Sequence, residues 1–223
     1  MKKALLAIAG VALVAGLASV SFAQDANSVD SANAVGVVKY TIPANGQLTC
    51  ISLPLDPMST NSTWYWTDTQ ISQALPRGSY IYCWRNGGWA TSLKQKSGWT
   101  ENFEIQPGEA FFVKGNTTSN LVVSLLGELP VEATSLIPLT GSGYLDMTTV
   151  SMYPVAMALT NSAFADMPRS TYIYRWNGTG WDTCLKQKSG WTEPNWTFGV
   201  GEGVYVKFNG TATNVVETRP FNW

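Results

Sequence analysis

The 223-residue chain has no histidine, only three cysteines, and few charges, with 14 basic and 15 acidic residues. Without an imidazole, Ser-His-Asp and Cys-His nucleophiles, zinc-protease helices and His-ligated metals are excluded, which leaves carboxylate, lysine, tyrosine or backbone chemistry. Cys50, Cys83 and Cys184 form no C-x-x-C pair, so the chain carries neither a zinc motif nor a dithiol redox motif. Their odd number permits at most one intramolecular bridge. The spacing is compatible both with a Cys50–Cys83 pair and with three unpaired apolar thiols. The Asp residues show no calcium-loop spacing, and no metal or cofactor is expected. A formal charge of −1 gives no whole-molecule attraction to nucleic acid, while 45% hydrophobic residues argue against disorder.

Residues 1–23 read as a signal peptide. Lys2 and Lys3 supply the positive start, an apolar run extends from Ala4 to about Ala18, and Ser21-Phe22-Ala23 forms an A-x-A-like cleavage site. The run falls short of the roughly 20 residues a membrane span needs, and no later stretch reaches that length. Cleavage after Ala23 predicts a secreted, periplasmic or cell-surface protein with no transmembrane span. Residues 24–33 form a polar leader expected to be flexible. Loss of Lys2 and Lys3 leaves 12 basic against 15 acidic residues, a formal charge of −3.

The dominant feature is a duplication. Residues 76–101 and 168–193 are identical at 18 of 26 positions at a constant offset of 92, and residues 107–114 match 200–207 at offset 93. Upstream, residues 48–52 align with 147–151 at offset 99. That alignment gives the first copy about seven extra residues, assigned to a loop over 59–69 that carries Trp64 and Trp66. Two units are therefore expected, 34–130 and 131–223.

Each unit reads as short strands. Val38, Tyr40 and Ile42 alternate with Val37, Lys39 and Thr41; Tyr80, Tyr82 and Trp84 alternate with Ile81 and Cys83. Asn86-Gly87-Gly88 and Asn177-Gly178-Thr179-Gly180 supply hairpin turns. Helical spacing is limited to a turn near 69–75 or 162–167. The expectation is an all-β chain of two tandem homologous small β-sandwich or barrel-like units. Because Cys83 is matched by Arg175, that side of the strand is expected to be wet. Tyr80, Tyr82, Trp84 and their counterparts are then expected to face the core.

Cys50-Ile51-Ser52-Leu53-Pro54-Leu55, the aromatic strand and turn of 80–89, and Pro107-Gly108-Glu109-Ala110-Phe111-Phe112-Val113 together resemble β-rich repeat modules of secreted bacterial surface proteins. Those modules follow an LISLPL strand, an aromatic strand with an Asn/Gly turn and Trp, and a PGxGYWV-like closing strand. The second unit keeps 172–181 and 201–206 but lacks the LISLPL form. The resemblance implies a non-enzymatic accessory role.

Leu93 to Glu101, LKQKSGWTE, recurs unchanged at 185–193. Trp99 and Trp191 are candidates for stacking on a sugar face, with Lys94, Gln95, Lys96, Lys186, Gln187 and Lys188 donating to hydroxyls or carboxylates. Two such sites would act together on one polymer. The competing role for each Trp is packing beneath its loop. The leading expectation is a non-enzymatic interaction module at the cell surface or in an extracellular matrix, with polysaccharide binding as its specific form. The structural alternative is self-association into a layer or fibre, because tandem β units expose edge strands. A carboxylate-dependent glycosidase is the enzymatic alternative: Glu101 and Glu109 recur as Glu193 and Glu202. The ending Phe221-Asn222-Trp223 suits an outer-membrane barrel, but Pro220 and the short strands argue against one.

Overall fold

Period-two alternation builds the first strand, β1 (Val35–Ile42), in which Val38, Tyr40 and Ile42 are buried and the residues between them face outward. A computed structural model describes residues 34–58, 63–85 and 87–221, so the predicted signal peptide, the leader, residues 59–62 of the predicted 59–69 loop, Asn86 and Asn222-Trp223 lie outside the described residues. β1 pairs antiparallel with β9 (Leu121–Glu128). A five-stranded sheet follows in the order β2 (Leu48–Ser52), β8 (Ala110–Lys114), β4 (Tyr80–Arg85), β5 (Gly88–Gln95), β6 (Gly98–Trp99). β3 (Trp64–Tyr65) pairs with β7 (Glu104–Ile105).

The same pairing order recurs. β10 (Thr134–Leu139) pairs with β18 (Thr213–Thr218). The second five-stranded sheet runs β11 (Leu145–Thr149), β17 (Gly203–Lys207), β13 (Tyr172–Trp176), β14 (Trp181–Gln187), β15 (Gly190–Trp191). β12 (Met157–Ala158) pairs with β16 (Thr197–Phe198). The chain is all-β. Its one α-helix among the described residues is α1 (Gln70–Ala74), N-capped by Thr69, whose Oγ1 accepts from the Ser72 N–H at 3.1 Å. The other stretch of helical spacing, 162–167, forms turns.

Strand register corrects the upstream alignment. Leu48 lies opposite Lys114 and Leu145 opposite Lys207, so β2 and β11 correspond at offset 97 rather than 99. A slip of two residues preserves which side chains point to which face, so apolar alternation alone does not distinguish the two offsets. Cys50 is thus equivalent to Met147. Twelve positions separate Ser52 from Trp64 and eight separate Thr149 from Met157, which makes Trp64 and Trp66 equivalent to Met157 and Leu159. All four are buried core residues, so Trp64 and Trp66 are not a loop pair.

The faces of the aromatic strands are also the reverse of the sequence expectation. Ile81 and Cys83 are fully buried and point into the core with Trp66, Ile71, Phe111 and Val113, whereas Tyr80 and Tyr82 are only partly buried. The stripe faces the other repeat instead. Phe112 packs between Trp176 and Trp181 at 5.6 and 5.8 Å, and its counterpart Tyr205 lies 6.4 Å from both Trp84 and Trp89. The Trp84 indole N–H donates to the Leu145 carbonyl at 3.1 Å, and the Trp176 indole N–H donates to the Leu48 carbonyl at 2.9 Å. Isolated bridges join Ile51 to Glu202 and Thr148 to Glu109. Each contact has a reciprocal counterpart, the signature of an approximate two-fold. Cys50 belongs to this interface and Cys83 to the core on the opposite face, and all three cysteines are unpaired.

Candidate functional site

The mismatch between Cys83 and Arg175 is explained by a displaced ion pair. Arg175 Nε and Nη2 donate to the two Glu202 carboxylate oxygens at 2.5 and 3.0 Å, and the guanidinium lies over the Phe198 ring at 5.6 Å. In the first repeat the same carboxylate position, Glu109, is held from two residues further along the strand. Arg85 Nε and Nη2 donate to Glu109 at 2.9 and 2.7 Å, with Phe103 5.4 Å beneath the guanidinium. Burial alone would lower the Arg85 pKa, but hydrogen bonding and charge attraction from Glu109 hold it above its ordinary value. Each carboxylate also accepts a turn N–H, from Gln106 at 2.9 Å and from Gly199 at 2.8 Å. Glu109 and Glu202 are therefore turn clamps with their oxygens committed, while Glu101 and Glu193 are exposed. The carboxylate pairs weighed for glycoside hydrolysis thus divide into one clamp and one solvated acid in each repeat.

The duplicated LKQKSGWTE stretch forms the β5–β6 and β14–β15 hairpins. Gly98 and Gly190 adopt φ of +119° and +126°, which a side chain would strain. Thr100 Oγ1 accepts from the Leu93 N–H and Thr192 Oγ1 from the Leu185 N–H, both at 3.0 Å. The two tryptophans pack inward. Trp191 is 7% exposed and donates to the Ala165 carbonyl at 3.2 Å; Trp99 is half-buried, donates to the Ser72 carbonyl at 3.3 Å and meets Trp66 edge-on at 5.2 Å. Lys94 Nζ donates to the Ser72 and Gln73 carbonyls in α1, at 2.8 and 3.0 Å, and burial holds its pKa below the ordinary value. Lys186 Nζ donates to the Ala165 carbonyl at 2.5 Å. Each of these two lysines also lies over its neighbouring indole, at 5.8 and 5.5 Å.

Gln95, Lys96 and Ser97 are exposed at one hairpin tip, and Gln187, Lys188 and Ser189 at the other. Each tip borders an open concavity, of about 820 Å³ in the first repeat and about 600 Å³ in the second. All seven lining positions of one correspond to those of the other at offset 92. Each is cationic, combining Arg77, Lys94 and Lys96 in one case and Arg169, Lys186 and Lys188 in the other. The arginine loop is braced identically: Asn116 Nδ2 donates to the Arg77 carbonyl and Asn209 Nδ2 to the Arg169 carbonyl, both at 2.9 Å.

The structure therefore gathers all six predicted lysines and glutamines into two matched basic pockets and directs the two predicted tryptophans into packing. Arg77 and Arg169 were missed, although the Pro-Arg dipeptide recurs at the same offset. The more exposed indoles are Trp89 and Trp181, at 48% and 38%, which sequence reasoning placed only in strands and turns. Among the described residues no cluster of three or more Cys, Asp or Glu side chains could hold a metal ion, and no helix is long and apolar enough to cross a membrane. Comparison of the chain with protein-family models, with curated proteins and with solved structures found no match.

Proposed function

We propose that the chain is exported and acts as a non-enzymatic binding module made of two homologous units, which grips an acidic polysaccharide through its two matched basic pockets. One observation carries the proposal. Within a nine-residue stretch shared by both repeats, packing, turn geometry and hydrogen bonding account for Leu, the first Lys, Gly, Trp and Thr, yet leave Gln95, Lys96, Gln187 and Lys188 exposed, with no side-chain hydrogen bond among the described residues. Such side chains are free to meet carboxylates along a chain of uronic acids, with the arginines supplying bidentate partners. Two pockets on one polymer raise the effective affinity by roughly 10²-fold or more where both engage.

The test is retention of the purified exported chain on immobilised polygalacturonate, with dextran as the neutral control. Retention on polygalacturonate alone, weakening with salt, is expected. Lys96→Ala with Lys188→Ala should reduce it at least about tenfold at an unchanged melting temperature. Undiminished retention in that double variant would reject the site. Self-association is the second reading, favoured by an exposed apolar cross-strand pair in each of the two corresponding strand pairs, Val37 with Leu126 and Leu136 with Val216. Light scattering of the same preparation without glycan separates the two, because a strict monomer at high concentration removes self-association.

A further inference from the structure

The two repeats leave an open groove of about 1200 Å³ between them, walled by Trp84, Arg85 and the β7–β8 turn on one side and by β10, β11 and their connecting turn on the other. The approximate two-fold makes the opposite side of the molecule an internal control. Glu104, Tyr144 and Asp146 line the groove, and the residues at the equivalent positions are Thr197, Gln47 and Thr49. Both sides form the same strand pairings. The sheets therefore do not require two extra carboxylates and a phenol ring on one side only.

The chemistry of the groove differs from that of the basic pockets. It holds one cation, Arg85, against three carboxylates, Glu104, Glu109 and Asp146. Glu109 neutralises Arg85 directly, which leaves the wall with two net negative charges. Asp146 is fixed in place by accepting from the Thr140 N–H at 2.9 Å and from its hydroxyl at 2.6 Å. Tyr144 is 64% exposed and has no ring partner among the described residues, so its phenol is available for stacking. Thr213 and Asn214 add hydroxyl and amide groups suited to sugar hydroxyls. Pro138 stands on the same wall without an N–H, which interrupts the ladder an extended peptide would need.

We propose that this groove binds a cationic saccharide, an amino-sugar chain that stacks a ring on Tyr144 and sets its ammonium groups against Glu104 and Asp146. The assignment is independent of the basic pockets. An uronic-acid polymer is repelled here, and an amino-sugar polymer is repelled at the hairpin tips.

Calorimetric titration of the whole exported chain with a glucosamine tetramer, at mildly acidic pH where its amines are protonated, provides the test. Binding should be at least about tenfold tighter than for the N-acetylated tetramer or for tetralysine, and should weaken with salt. Glu104→Thr with Tyr144→Gln copies the other side of the molecule and should cost at least about tenfold at an unchanged melting temperature. Asp146→Asn, which keeps an acceptor for Thr140, should weaken binding in the same direction. Lys96→Ala with Lys188→Ala should leave this binding unchanged while reducing retention on polygalacturonate at least about tenfold, so the two sites fail separately. Absence of binding to the free-amine tetramer, equal affinity for tetralysine, or unchanged affinity in the Glu104/Tyr144 variant would each overturn the proposal.

Discussion

Trp191 separates the packing role from the contact role most sharply. At 7% exposure it withdraws nearly its whole side chain from water. A tryptophan buries about 150–250 Å², which at about 25 cal/mol per Å² corresponds to about 4–6 kcal/mol of transfer free energy, and Trp→Ala changes in cores cost about 3–5 kcal/mol. The indole N–H to Ala165 contributes little to the difference, because Lys186 still satisfies that carbonyl after truncation. Loss of the ring beneath Lys186 adds about 0.5–1 kcal/mol. Trp191→Ala should therefore destabilise the chain by about 4 kcal/mol, and Trp191→Phe, which keeps most of the apolar contact, by about 1–2 kcal/mol. Urea denaturation followed by circular dichroism measures both. Polygalacturonate retention should survive in Trp191→Phe, since the exposed Lys188 is untouched. A loss below about 1 kcal/mol in Trp191→Ala, together with abolished retention, would show that the indole is a contact surface and refute the packing argument.

Two further outcomes follow from the buried charges. Arg85→Ala leaves the part-buried Glu109 with its turn N–H but no counter-charge, and should cost about 1.5–3 kcal/mol in denaturant unfolding; a change within about 0.5 kcal/mol would mean that the clamp is only a surface ion pair. Burial raises the Glu217 carboxyl pKa despite hydrogen bonds from Ser151 Oγ and the Met152 N–H, so the folded chain holds that proton more tightly than the unfolded chain does. Stability should fall as pH climbs from the unfolded pKa through the raised folded one and level off above it, and Glu217→Gln should flatten that limb; a variant that follows the parent at every pH contradicts the assignment.

Local signals carried most of the architecture. Strand alternation in β1, the Asn/Gly reversals and the 92-residue offset are properties of neighbouring residues, and each of them corresponds to a feature of the all-β structure. The misplaced faces arose from a non-local fact. Arg175 looked like a wet position because a cation rarely points inward, yet Glu202 meets it from the turn before β17 and Phe198 lies beneath it. The first repeat meets the same need with Arg85, two residues along on the same face, so comparing residues position by position hides a function that has moved. Similarly, nothing within LKQKSGWTE indicates that carbonyls at Ser72 and Ala165 wait to accept from its tryptophans and first lysines. The pocket-forming Lys96 and Lys188 were legible, and their partners Arg77 and Arg169 were not, because they lie 19 residues upstream and enter the site only through β4–β5 and β13–β14 pairing.

A duplicated chain sorts its own residues by what the two copies share and where they differ. Of the residues buried in both repeats, Ile81 and Ile173 are the same, while Trp64 and Trp66 are matched by Met157 and Leu159, which fill the equivalent core with other apolar side chains. Those at the mutual face exchange within one chemistry, as Phe112 does with Tyr205, since Phe112 meets Trp176 and Trp181 and Tyr205 meets Trp84 and Trp89 of the other repeat. Exposed residues have no packing reason to stay alike, so the identity of Gln95-Lys96 with Gln187-Lys188 points to a role performed twice, once by each hairpin tip. Residues that differ across the two-fold while the strand pairings stay the same are residues the fold does not fix. Glu104, Tyr144 and Asp146 belong to this last group. Because the fold on the opposite side forms with Thr197, Gln47 and Thr49, strand pairing does not dictate the acidic composition of the groove, and it is to these three side chains that the proposed amino-sugar contact is assigned.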